Sequence, residues 1–212
     1  MLHLSNSYLQ VSEMHSLTSS ASALALALSL AFGSADVAAA PVELAGVTLQ
    51  DRASIAGTPL VLNGAGIRYK AIFKVYAVGL YLEGKATTPE AVLSMAGPKR
   101  MAITMLREID SNELGKLFAR GLEDNMERGA FAKLIPGVIR MSKVFSDHRA
   151  LKEGDTFELD WVPGTGTVLT IKGVPEKEPF KEPEFFNGLL RIWLGPSPAD
   201  WKLKESLLGK GK

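Results

Sequence analysis

The run Tyr76-Ala77-Val78-Gly79-Leu80-Tyr81-Leu82 is apolar at every position. Successive residues of a strand point to opposite faces, so a strand apolar at both parities is largely buried. Its neighbours extend the pattern. Ile67, Tyr69, Ala71 and Phe73 alternate with Arg68, Lys70 and Ile72, which reads as a strand leading into the buried one through Lys74-Val75. Asn63-Gly64-Ala65-Gly66 carries the residues of a turn, with glycines supplying positive φ. Before it, Pro59 to Leu62 and Leu44 to Leu49 read as two further strands, the second as a single short run.

Helix signals follow. Thr88-Pro89-Glu90 offers a cap, a proline at the first helical position and an acid, so a short helix starts there and stops at Gly97-Pro98. Met101 to Leu106 is a strand. Asp110 stands three residues before Glu113, a capping box. Leu114, Leu117, Phe118, Gly121 and Leu122 then recur at helical spacing. A second helical stretch, 131–145, contains Pro136-Gly137, which is expected to break it. Residues 156–162 and 167–172 form a hairpin about Pro163-Gly164-Thr165-Gly166. A charged, proline-rich connection over 175–183 leads to helices over 185–194 and 201–208. Strands, helices, a hairpin and helices in that order predict an α+β fold with a mostly antiparallel sheet, not alternating βαβ units. No linker divides residues 40–212, so they form one domain.

Residues 1–40 contain no Lys or Arg, and Glu13 and Asp36 are their only acids. The stretch from Ala21 to Phe32 is apolar and of the length of a secretory core, and Val37-Ala38-Ala39-Ala40 follows with the small residues of a cleavage site. Residues 1–39 are therefore expected to be a signal peptide, cut after Ala39 within the window Val37 to Pro41, with Met1 or Met14 as the start. The apolar run is shorter than the roughly 20 residues of a spanning helix. The protein is thus expected to be exported, to a periplasm or its equivalent, with no stable membrane span after cleavage.

Taking Glu13 and Asp36 from the 23 acids leaves 21 against 24 basic residues, a net +3. That is too mild for a nucleic-acid surface, and no basic stripe with interleaved aromatics is present. The chain has no Cys, which excludes a disulfide framework, a thiolate metal site and a cysteine nucleophile. One His, His148, remains beyond residue 40. A multi-His metal cluster is excluded, and no G-x-S-x-G supports a serine hydrolase. No cofactor or metal is expected.

Gly64-Ala65-Gly66 is not a phosphate loop, because Tyr69 stands where a third glycine would fall and no helix follows. Arg68 admits two readings: an ion-pair partner on a sheet surface, or an anchor for an anionic oxygen at the mouth of an apolar cleft. A guanidinium suits the second role because it stays charged and presents a planar fork of donors. Alternation fixes which residues share a side, not which side is inside. Tyr69, Tyr76 and Tyr81 lie close together; Tyr76 and Tyr81 differ in parity, so one can join Arg68 while the other packs elsewhere. A buried tyrosine needs a partner for its hydroxyl. Met95, Met101, Met105, Met126 and Met141 read as core filler.

Gly64-Ala65-Gly66-Ile67-Arg68, followed by Lys74-Val75-Tyr76-Ala77-Val78-Gly79-Leu80-Tyr81-Leu82-Glu83, resembles the chalcone isomerase family. Its members carry a G-A-G-x-R turn and then a strand of the K-F-T-A-I-G-V-Y-L-E type. The resemblance extends over nearly all of residues 40–212, including the capped helix from Asp110 and the tail around Trp193-Leu194-Gly195. It implies an open-faced β-sandwich, a large antiparallel sheet with helices layered on one face and a cleft between them. In the plant enzymes the arginine matching Arg68 stabilises a phenolate oxygen while a chalcone cyclises to a flavanone. In the fatty-acid-binding members the matching arginine holds a carboxylate together with a tyrosine on the next strand. Tyr76 stands where the enzymes have a threonine, which is the binding pattern. The segment between Arg68 and Tyr76 is a few residues shorter than in the enzymes. The helix from Asp110 has no tyrosine, and Asn125 lies too far along to match the enzymes' asparagine.

Three functions fit this reading. The first is an exported, non-catalytic protein that binds a small hydrophobic carboxylate such as a fatty acid through Arg68 and Tyr76. The second is an intramolecular lyase acting on a phenolic enone, with Arg68 as its catalytic residue. The third is a structural or assembly factor of the envelope, with protein partners undefined, whose cleft is filled by bulky side chains.

Overall fold

The computed structural model describes residues 40–211; the expected leader, residues 1–39, lies outside them. Eleven strands and five helices follow one another: β1 Val42–Leu44, β2 Val47–Leu49, β3 Arg52–Ile55, β4 Thr58–Lys70, β5 Phe73–Leu82, α1 Pro89–Ser94, β6 Lys99–Met105, β7 Ile109–Asp110, α2 Ser111–Glu123, α3 Arg128–Ser146, β8 Ala150–Leu151, β9 Thr156–Val162, β10 Gly166–Ile171, β11 Val174–Pro175, α4 Pro183–Leu194 and α5 Trp201–Leu207. Seven strands form one antiparallel sheet in the order β11-β10-β9-β6-β5-β4-β3. The fold is α+β, as expected.

One face of the sheet carries all five helices. Val78, Leu80, Met101, Ile103, Phe157 and Leu169 meet Phe118, Phe145, Phe185, Trp193 and Leu207 in the main core. The opposite face holds a smaller cluster, with Leu49, Leu60, Leu62 and Tyr81 under the β1–β2 hairpin. The doubly apolar strand β5 therefore lies between both clusters. Tyr76 and Tyr81 separate as their parity requires: Tyr76 enters the main core, while Tyr81 enters the small one and donates to the Gln50 carbonyl at 2.9 Å. Met101, Met105 and Met141 are buried in the core, with Met95 and Met126 packed against it.

The caps form where the sequence places them. Thr88 accepts from the Ala91 N–H, and Asp110 accepts from the Glu113 N–H. Several expectations need correction. Residues 44–49 are not one strand, since Ala45 and Gly46 take positive φ and fold them into the β1–β2 hairpin. The strand expected over 67–73 is interrupted by a further hairpin turn at Ala71-Ile72, between β4 and β5. Pro136 lies inside a continuous α3. Gly137, next to it, leaves the room that the Phe185 ring occupies: a Cβ there would stand 2.8 Å from Cε2.

The largest correction concerns Asn63-Gly64-Ala65-Gly66, which is no turn. It lies within the 13-residue strand β4, and neither glycine has positive φ. Asn63 is the extra residue of a bulge between Leu62 and Gly64. Its buried side chain donates to the carbonyls of Ala86 and Leu207 and accepts from the Ala86 N–H. The glycines serve close approach instead. A Cβ on Gly64 would meet the Ser206 carbonyl oxygen at 2.1 Å, and one on Gly66 would meet Leu203 Cδ1 at 2.8 Å. Helix α5 thus lies almost directly on the backbone of β4.

Candidate functional site

Residues 64, 66 and 68 share one face of β4 by the period of two, and that face meets the helices. With glycines at the first two positions α5 settles onto the strand, and Arg68 comes next, at the end of α5. Asp200 caps this helix: its Oδ1 accepts from the N–H groups of Lys202 and Leu203 at 2.9 and 3.2 Å. Its Oδ2 accepts from the Tyr69 N–H at 3.2 Å and lies 3.7 Å from Nη1 of Arg68. The G-A-G-x-R segment is therefore a seat for a helix followed by a charge at the end of that seat.

Arg68 and Tyr76 are directly opposed across β4 and β5, which places their Cβ atoms about 4.5–5.5 Å apart. One residue further, Tyr69 pairs with Lys74, so Val75 is the extra residue of a second bulge. The bulge lets both Val75 and Tyr76 line one cavity, although consecutive strand residues would otherwise face apart. Bulges commonly re-aim side chains in this way.

The cavity has a volume of about 410 Å³. Its buried end holds Tyr76, Trp193 and Phe118 beside the half-buried Arg68, and its apolar walls come from Leu114, Leu117 and Ile192. The exposed end is charged on both signs, with Lys70, Arg107 and Arg120 against Glu108, Glu113 and Asp124.

Trp193 Nε1–H donates to the Tyr76 hydroxyl oxygen at 2.9 Å. That bond uses a lone pair of the oxygen and leaves its proton free to point elsewhere. Burial pushes the Tyr76 pKa from 10.0 up to about 12, against opposing pulls from the Trp193 hydrogen bond and the Arg68 charge. At neutral pH Tyr76 is accordingly a fixed hydroxyl donor rather than a phenolate. The Arg68 guanidinium makes no hydrogen bond to any described residue, and its Asp200 contact is a long ion pair. Asp200 is itself satisfied by three backbone N–H groups. The site therefore presents a guanidinium with unused donors beside a hydroxyl with an unused proton, at the closed end of an apolar cavity.

The sequence named Arg68 and Tyr76, and the structure brings them together. It missed Trp193, Asp200 and Val75. Trp193 was legible only as a core residue at helical spacing. Asp200 stands at a capping position before Trp201, a signal of helix start that says nothing of Arg68. Asn125 does not line the cavity. Its side chain ties the end of α2 to the 195–199 loop, donating to the carbonyls of Gly121 and Ser197 and accepting from the Ser197 N–H. His148 lies away from the cavity, 4.0 Å from Glu176.

A large antiparallel sheet carrying all its helices on one face, with a cleft between the two layers, defines an open-faced sandwich. The chalcone isomerase-like family model matches residues 41–209, and the chain belongs to that family. Among solved structures it is similar to the crystal structure of a fatty-acid binding protein from Arabidopsis thaliana. The TM-score is 0.66 at 16% identity, covering 79% of this chain and 95% of that one. No curated protein matches it by sequence.

Proposed function

We propose that this is an exported, non-catalytic binding protein that holds a small hydrophobic carboxylate, such as a fatty acid, between Arg68 and Tyr76. One observation carries the reading: a half-buried guanidinium without a hydrogen bond lines an apolar cavity beside a protonated hydroxyl. A carboxylate accepts from both and leaves neither donor idle. Its tail lies along Leu114, Leu117, Phe118 and Ile192, and each buried CH₂ adds about 0.8 kcal/mol. The volume falls within the roughly 300–1,000 Å³ of small-molecule sites. The Arabidopsis protein of similar fold is described as binding fatty acids, which agrees with this ligand class. Export rests on the pattern of residues 1–39. The open cavity counts against an assembly factor with a filled cleft.

The test is displacement of a fluorescent fatty acid. Hydrogen bonds to charged groups contribute about 1.5–3 kcal/mol, so Arg68→Ala weakens a long-chain acid roughly 10- to 150-fold. The matching long-chain alcohol is affected far less. Unchanged affinity for the acid in Arg68→Ala defeats the reading.

A second reading keeps support from the same pair. Two preorganised donors at one point also stabilise an oxyanion, as an intramolecular lyase needs. Cyclisation of a chalcone followed by absorbance decides it: a rate equal to the solution background removes the lyase for that substrate.

A further inference from the structure

The hairpin that carries Arg68 and Tyr76 ends in a loop whose residues its geometry does not call for. Two-residue hairpin loops favour Gly, Asn and Asp, which tolerate positive φ and face water. Here the loop is Ala71-Ile72. Ala71 adopts φ +54°, a region in which a Cβ is costly. Ile72 is 84% exposed, and Phe73 beside it is 55% exposed. An apolar pair thus occupies the most projecting point of the hairpin, at the expense of turn chemistry.

Cations surround it. Lys70 and Lys74 flank the loop and are exposed, and the Arg107 guanidinium lies 5.2 Å from the centroid of the Phe73 ring. Lys70 reaches Glu113 at 3.5 Å, and Glu108 adjoins Arg107 in the chain; Lys74 and Arg107 have no ion pair among the described residues. Lys70 and Arg107 also line the cavity, so tip and cavity mouth form one continuous surface.

We propose that this tip docks on an anionic lipid bilayer. Ile72 and Phe73 enter the headgroup layer, while Lys74 and Arg107 engage lipid phosphates. Apolar insertion together with a basic rim is the combination that holds peripheral proteins on anionic membranes. A loop of two residues is too narrow for a stable protein interface, which buries roughly 1,200–2,000 Å², but it is narrow enough to pass between headgroups. Docking turns the cavity mouth toward the lipid. It does not depend on what the cavity holds.

The chain has no Cys, so Ile72→Cys accepts a single environment-sensitive fluorophore in the full chain. The control site is Val174→Cys on β11, 65% exposed at the far end of the sheet from β3 and β4. With phosphatidylglycerol vesicles the label at position 72 shifts to the blue and brightens several-fold, and the label at 174 does not. Phosphatidylcholine vesicles, or about 1 M salt, where charges are screened beyond roughly 3 Å, reduce the response. Adding Lys74→Glu and Arg107→Glu to Ile72→Cys weakens vesicle affinity at least tenfold, at an unchanged unfolding temperature. No shift at 72 on phosphatidylglycerol overturns the proposal. So does an equal shift at 174, or an unaltered response in the charge-reversed variant. A protein that shifts on these vesicles but fails to displace fluorescent fatty acid in vesicle-free buffer retains the docking and loses the carboxylate reading.

Discussion

Replacing Gly64 with alanine tests the seating of α5 on β4. The backbone angles at position 64 suit any residue, so the whole effect comes from contact. The new Cβ would stand 2.1 Å from the Ser206 carbonyl oxygen and 2.6 Å from that of Leu207. Both are backbone atoms and cannot rotate away, so the helix must lift. Overpacking of this kind costs about 1–3 kcal/mol. Lifting also stretches the 2.7 Å hydrogen bond from the buried Asn63 side chain to the Leu207 carbonyl, and an unsatisfied buried group costs about 1–3 kcal/mol. The two together come to about 2–6 kcal/mol, which at about 2–4 °C per kcal/mol lowers Tm by at least roughly 4 °C in a domain of this size. The assay is urea and thermal unfolding followed by circular dichroism, with Gly129→Ala as the reference. Gly129 lies in the first turn of α3, and a Cβ there meets nothing within 4 Å. That substitution is neutral or stabilises by up to about 1 kcal/mol. If Gly64→Ala stays within about 0.5 kcal/mol of the parent, the range of an ordinary surface change, α5 does not rest on β4 as described.

Three further outcomes follow from the same contacts. The Tyr76 proton is held more tightly in the folded state, at a pKa of about 12 against 10.0. Stability therefore falls as pH rises from 10 to 12, by roughly 2–3 kcal/mol; Tyr81, also raised by burial, adds to the slope, and Tyr76→Phe removes only its own share. At neutral pH Tyr76→Phe leaves the Trp193 N–H without its acceptor and costs about 1–3 kcal/mol, and in a double-mutant cycle Trp193→Phe costs less in the Tyr76→Phe background than in the parent. On the other face of the sheet, Arg100 holds Asp160 through two hydrogen bonds of 2.7 and 2.6 Å and reaches Glu158 at 3.3 Å. Arg100→Leu strands the buried Asp160 carboxylate and costs about 3–5 kcal/mol in chemical denaturation, and adding Asp160→Asn restores part of it.

The periodic elements were legible because their signals are local. The doubly apolar β5, the Asp110 cap and the Pro163-Gly164 hairpin each need only a few adjacent residues, and each forms. The opposed parity of Tyr76 and Tyr81 was equally open to reading. Asn63-Gly64-Ala65-Gly66 was misread because a glycine that admits a distant helix looks, in one dimension, like a glycine that makes a turn. Only the position of α5 separates the two. The pairing of Arg68 with Tyr76 shows the same limit. The strand pattern allowed a surface ion pair or an anion anchor; Arg68 both pairs with Asp200 at 3.7 Å and lines the cavity, and its place beside Tyr76 depends on a bulge at Val75 and on a hairpin turn at Ala71-Ile72 that lacks the usual turn residues. Trp193 and Asp200 join the site only through tertiary contact, from more than a hundred positions away.

That distance has a consequence for how the molecule is made. Asn63 and Leu207 are hydrogen-bonded across 144 positions, and the cap that pairs with Arg68 comes from the same late helix. During synthesis β4 and β5 leave the ribosome long before their cover exists. Loop closure over such a span is slow relative to local pairing, and an uncovered apolar strand pair is a target for aggregation while it waits. Until α4 and α5 are made, the strand pair lacks its helical cover and the Trp193 and Ile192 walls of the cavity.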